Sequence, residues 1–234
     1  MKRPAESLIS ALSLDTGNWH EVYCVSLGRM IATQNACREL VVREQNWNVD
    51  FSRGVILFGG QEYALQFIGS ESASSGTWLW GWENINGFPD ELIELARRTR
   101  QLGERWGLEP LTQAQFSLDD TFNGHALSTV TCALAGDCCY YRCPHSGGAA
   151  FVAFSGVPEE VFAPVDMQKF VSITMQCIRE IPLDHRLFVE GFLLGNGTPY
   201  ERDGLSITAH FEQKLHLEFE QAGGVLRIRS IKSR

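Results

Sequence analysis

The run Gly69-Ser70-Glu71-Ser72-Ala73-Ser74-Ser75-Gly76-Thr77-Trp78-Leu79-Trp80-Gly81-Trp82-Glu83-Asn84 places three of the chain's six tryptophans at every second position. Successive side chains of a strand point to opposite faces. The spacing therefore predicts a strand over Thr77 to Trp82 with Trp78, Trp80 and Trp82 in one indole stripe. Leu79 and Gly81 then face the other way, and the small polar run Ser70 to Gly76 reads as the turn that feeds the strand. A buried stripe is a core plug, each ring covering on the order of 150–250 Å². An open one is a platform for stacking sugars, bases or partner side chains. Burial is favoured, because large exposed apolar patches are rare on monomers. Glu83 and Asn84, leaving the strand end, would add polar contacts to a groove there. Trp78, Trp80, Trp82, Glu83 and Asn84 are thus the candidate ligand-binding residues.

Upstream, Trp47-Asn48-Val49-Asp50-Phe51 alternates, Val55-Ile56-Leu57-Phe58 is apolar on both faces, and Tyr63 to Ile68 forms a third strand. Ser52-Arg53-Gly54 and Gly59-Gly60 supply turns, so four strands with short connections predict an antiparallel meander with Val55–Phe58 toward its centre. Before them, Trp19, Val22, Tyr23, Leu27, Met30, Ile31, Cys37 and Val41 recur at helical spacing, predicting a long helix over Asn18 to Val42 with one buried face. After them, Asp90 is placed to cap a helix that Gly107 ends. Its arginines, Arg97, Arg98, Arg100 and Arg105, share it with four acids and read as a solvated face.

Asp119 or Asp120 is expected to cap a helix running to Ala135, followed by a hairpin of Cys138–Cys143 and Ala150–Ser155. Gly156-Val157-Pro158 with Ala163-Pro164 marks a boundary. Beyond it, Met167, Phe170, Val171, Thr174, Cys177, Ile178 and Ile181 follow i, i+3, i+4, i+7. Asp184 caps a helix over His185 to Leu194, and three strands close the chain. Leu205, Ile207, Ala209 and Phe211 are expected to face inward, and Glu218 and Glu220 to oppose Arg227 and Arg229. The fold class is α+β: an antiparallel meander packed by amphipathic helices, followed by a second unit of helices and antiparallel sheet. The divisions are 1–17 as a lead-in, 18–157, and 158–234.

Composition bounds the function. The 234 residues carry a net charge of −8 and are 44% hydrophobic, which fits a globular protein and disfavours nucleic-acid binding. No apolar run approaches the roughly 20 residues needed to span a bilayer. Glu6, Asp15 and intervening serines argue against a signal peptide. Seven cysteines without regular spacing fit a reducing compartment, and a cytoplasmic location is expected.

With the strand, helix and hairpin placed, Gly69-Ser70, Thr77-Trp78-Leu79-Trp80-Gly81-Trp82-Glu83-Asn84, the helix reaching Leu102-Gly103, and Tyr141-Arg142 before a Gly-rich turn resemble a mainly bacterial family, domain of unknown function 6882. Its signature is Trp-Leu-Trp-Ala-Trp-x-Asn, with Gly81 here in place of Ala. The resemblance covers roughly residues 18 to 157. It implies an intracellular α+β protein without assigned activity and transfers no catalytic residues.

Candidate chemistry is sparse. In Cys138-Cys139-Tyr140-Tyr141-Arg142-Cys143-Pro144-His145, Cys139 and Cys143 would stand roughly 13 Å apart along a strand. Cys138 faces the opposite way and no knuckle pair follows, so buried thiols are preferred to a zinc site. Cys143 with His145 or His125 as nucleophile and base lacks an accompanying oxyanion motif. His210, His216 and Glu218 fall on a solvated face. Neither Gly59-Gly60 nor Gly147-Gly148 opens a helix, as a phosphate-cradling loop requires. No cofactor or metal is expected. The leading expectation is a non-catalytic, protein-binding module, of which an immunity-type role is one version. The alternatives are a small-molecule or carbohydrate binder using the tryptophan strand, and, more weakly, a cysteine- or metal-dependent hydrolase.

Overall fold

A computed structural model describes residues 11–233, which hold five α-helices and eleven strands. The lead-in expected over 1–17 falls largely outside them. The protein is α+β, with two antiparallel sheets.

The first helix, α1 (Trp19–Cys37), begins at Asn18, whose Oδ1 accepts from the N–H groups of His20 and Glu21. It gives way to one π-helical turn over Arg38–Val42. It does not bury a single face. Trp19, Val22 and Met30 enter one core, Cys24, Leu27 and Ala32 a second, and Cys37 a third, which Val41 of the π turn also joins. A helix apolar around most of its circumference lies between layers.

The strands β1 (Trp47–Asp50), β2 (Val55–Phe58), β3 (Gln61–Ser72) and β4 (Thr77–Trp80) pair consecutively, as a meander should. The centre is β3, not β2. Ala64 pairs with both Val55 and Ser155, and Gly69 with both Trp80 and Phe151. Hence β2 and β4 occupy successive halves of one edge of β3, while β7 (Gly148–Ser155) runs along the other. A register shift between Phe67 and Gly69 in the β3–β7 ladder bends the long strand there.

The helix α2 (Asp90–Trp106) is preceded by Pro89, and Asp90 does not cap it. The Asp90 carboxylate instead pairs with Arg97 at 2.8 Å. Gly107, with φ +67°, closes the helix as expected. A short strand, β5 (Gln115–Ser117), pairs with β4. The next helix, α3 (Gly124–Ala135), is capped by Asn123, whose Oδ1 accepts from Ala126 N. The expected cap Asp119 lies further back, accepting from Thr121 N and Phe122 N in a turn. The hairpin β6 (Cys139–His145) and β7 (Gly148–Ser155) joins the first sheet through β3. Glu71 ties these parts together, accepting from Gly124 N at 2.8 Å and facing Arg142 at 3.5 Å.

After the boundary, α4 (Met167–Glu180) and α5 (His185–Asn196) are capped by Asp166 and Asp184. The second sheet has four strands, in the order β11-β10-β9-β8. They are β8 (Tyr200–Asp203), β9 (Ser206–His210), β10 (Lys214–Ala222) and β11 (Val225–Ser233). Leu205 is not inward: it sits half-exposed in the β8–β9 turn. Glu220 opposes Arg227 as expected. A bulge at Glu218/Phe219 instead sets Glu218 opposite Ser230, whose hydroxyl donates to its carboxylate at 3.0 Å.

The units meet where α1 crosses α5. A Cβ on Gly191 would lie 2.4 Å from the Val25 Cα, and one on Gly28 would lie 2.6 Å from the Phe192 ring. Each helix therefore presents bare backbone at the crossing.

Candidate functional site

The tryptophans do not form an open platform. Trp78 is 0% exposed, Trp80 1% and Trp82 8%, all in the same core. The Trp78 ring stands edge-on to Trp80 at 5.4 Å and to Phe151 at 5.5 Å. Trp80 Nε1 donates to the Pro110 carbonyl at 2.9 Å. The strand stops at Trp80, and Gly81–Glu83 turns as a 3₁₀ helix, so Trp82 leaves the ladder. The Arg100 guanidinium covers its ring, 4.4 Å from the centroid. Glu83 is exposed. Asn84 spends its amide on its own loop, donating to Phe88 O at 2.8 Å and accepting from Phe88 N at 2.7 Å.

The cysteines are free and buried. Cys138 and Cys139 enter different cores, in keeping with their opposite faces. Burial pushes the Cys143 thiol up to about 12, which disfavours the thiolate that a nucleophile needs. His145 Nδ1 accepts from Gly147 N at 3.1 Å, and His125 packs edge-on to Phe151. His210 faces Glu201 at 3.4 Å, while His216 faces Thr208 Oγ1 at 3.2 Å and Glu218 at 3.7 Å. Among the described residues no three His, Cys, Asp or Glu side chains are grouped to hold a metal ion.

The feature best suited to take a ligand lies elsewhere. A cleft of about 690 Å³ opens where α1, α3 and α5 meet the boundary segment, and none of the five candidate residues lines it. Its size falls within the range of small-molecule sites, about 300–1,000 Å³. Val25, Met30, Leu134 and Leu194 give it apolar walls. Gly195 leaves room for the stem of Arg29, whose Cβ lies 2.9 Å from where a Gly195 Cβ would stand.

Arg29 is the one charged residue among the described residues of the wall. Its Nη1 donates to the Ala163 carbonyl at 3.0 Å and its Nη2 to the Phe162 carbonyl. No carboxylate of a described residue pairs with it, and burial lowers its pKa from the ordinary arginine value. Asn196, 5% exposed, grips the same segment from α5. Its Oδ1 accepts from Val165 N at 2.7 Å, and its Nδ2 donates to Val165 O at 3.0 Å and to Thr198 Oγ1 at 2.8 Å. Two polar side chains thus fasten residues 162–165 beside the cleft.

The model of a family of unknown function, DUF6882, matches residues 22–157, more than half of the chain. The chain belongs to this family. No curated protein and no solved structure matches it. For this DUF6882 member, part of the cleft wall comes from the matched region, Val25 to Thr33 and Cys132 to Cys138. The rest comes from Phe162 onward, beyond the match. No helix among the described residues is long and apolar enough to cross a membrane.

Sequence reasoning missed this site because four separated segments build it. One signal was present: between Glu21 and Arg38, Arg29 is the sole charged residue in an otherwise uncharged stretch.

Proposed function

We propose that this protein is a non-catalytic ligand-binding module that takes a small organic molecule into the cleft between α1, α3 and α5. The observation that carries the reading is the combination of a mostly apolar cleft of about 690 Å³ with one cation and no acid among the described residues of its wall. Apolar surface supplies affinity and a few placed polar groups supply orientation, which is how such sites are commonly made. The unpaired, buried cysteines support residence in a reducing compartment such as the cytoplasm. The raised Cys143 thiol weighs against a cysteine hydrolase. The neutral fluorophore N-phenyl-1-naphthylamine tests the proposal. It should bind the full chain saturably, and Ala133→Trp, which fills the cleft, should abolish that binding without lowering the melting temperature. Saturable binding that Ala133→Trp leaves untouched refutes the location, and no saturable binding refutes the reading.

A second reading, a protein partner, has one observation in its favour. Ile85 is 72% exposed beside Glu83 at the exit of the tryptophan strand, the kind of apolar anchor that partners bury. Under this reading Ile85→Asp abolishes capture of a partner in pull-down while leaving stability unchanged. Equal capture by wild type and variant would remove the support.

A further inference from the structure

We propose that the molecule bound in this cleft is an organic monocarboxylate with an apolar body, and that Arg29 is the residue that recognises its charge. The inference rests on the cleft reading above and deepens it.

A guanidinium is ionised under all ordinary conditions and carries five N–H donors in a planar fork. Arg29 commits Nη1 and Nη2 to the carbonyls of Ala163 and Phe162. Those oxygens satisfy donors but bring no formal negative charge. The side chain is half-buried, and burial alone shifts its pKa, downward, with no acid opposing it. Burying a cation without a counter-ion is costly. By contrast, Arg186 and Arg202 both flank the buried carboxylate of Glu190. Arg29 has no such acid.

The wall also limits the class of anion. Among the described residues it contains no Lys, His or second Arg, so they offer a single positive charge. A phosphate dianion would remain half-neutralised, whereas a carboxylate matches one guanidinium in charge and in geometry. The walls formed by Val25, Met30, Leu134 and Leu194 then favour a molecule whose remainder is hydrocarbon. The structure therefore calls for an amphiphile with one carboxylate, its head at Arg29 and its body between α1, α3 and α5.

Displacement of N-phenyl-1-naphthylamine from the full chain by decanoate and by the neutral analogue decanol tests this near neutral pH. Decanoate should bind about ten- to a hundredfold more tightly, as expected for hydrogen bonds to a charged group. Arg29→Met should bring the two to parity, while Arg29→Lys should keep part of the preference. If Arg29→Met does not fold, the wild-type comparison and Arg29→Lys still decide. Equal displacement by both compounds from the wild type overturns the carboxylate while leaving the cleft reading standing. A preference that persists in Arg29→Met overturns the role of Arg29. Absence of saturable fluorophore binding overturns the cleft reading itself, and this inference with it.

Discussion

The crossing of α1 and α5 gives the sharpest test of how this protein is held together. Replacing Gly191 by Ala adds one methyl where the Val25 Cα and carbonyl oxygen would both stand 2.4 Å away and the carbonyl carbon 2.8 Å away. That is about 1 Å inside ordinary contact, and the neighbours are backbone, so no rotamer change relieves it. The helices must move apart, loosening the packing of Phe188, Phe192 and Leu27. Overpacking of this kind costs about 1–3 kcal/mol. A helical alanine returns about 1 kcal/mol relative to glycine. Because the clash is with main chain, the upper part of that range applies and the net loss is about 2 kcal/mol. For a chain of this size that lowers the melting temperature by about 4–8 °C. Gly28→Ala meets side-chain atoms of Phe192 instead of main chain, the ring at 2.6 Å and the Cβ at 2.7 Å, so its loss should be smaller. Urea midpoints at constant m-value measure both. A Gly191→Ala variant as stable as wild type, or an order reversed between the two, would falsify the account of the crossing.

Trp80→Phe should cost about 1–3 kcal/mol more than Trp78→Phe, because it leaves the Pro110 carbonyl without its donor, whereas the Trp78 N–H has no protein acceptor. Equal urea midpoints for the two variants would show that the indole bond contributes nothing. Stability should also fall on mild acidification. Burial, reinforced by Arg227, lowers the His185 pKa, and its Nδ1 accepts from Ile228 N at 3.0 Å. The unfolded chain therefore takes up the proton first. The contribution is complete above about pH 6.5 and is lost as pH falls toward the depressed folded value. His125 is shifted in the same direction by burial, while Glu190, raised by burial, works against the trend. A urea midpoint that falls below neutrality in the wild type and falls less in His185→Gln is expected; identical profiles would exclude His185 as a source. Finally, Cys143 should resist alkylation in the native state and react on unfolding, since burial holds its thiol up at about 12. Rapid native labelling would contradict that burial.

Where a local signal is strong enough, the fold is legible in the chain. Gly107 closes α2, the apolar series from Met167 marks α4 and Asp184 caps α5, because each depends on residues within a few turns of one another. The strands β5 and β8 are different. Gln115-Phe116-Ser117 and Tyr200-Glu201-Arg202-Asp203 lack an apolar alternation of their own and become strands by pairing with β4 and β9. The indole stripe was readable as far as Trp80. Beyond it the chain turns at Gly81, close to the carbonyls of Phe67 and Ile68, which would stand 2.7 and 2.9 Å from a Cβ there. Asp90 had the chemistry of a cap but found a better partner in Arg97. The cleft was the least legible part, since its walls meet only once α5 has crossed α1.

That crossing also sets the timing of folding during synthesis. The face of α1 formed by Cys24, Leu27 and Ala32 is covered by helices and strands that leave the ribosome much later. Between the end of α1 at Cys37 and the start of α5 at His185 lie about 150 residues. At about 5–20 residues per second, that is roughly 7–30 s of elongation. Throughout that interval an apolar stripe on the first helix waits for its partner, and such transiently exposed surface is prone to aggregate.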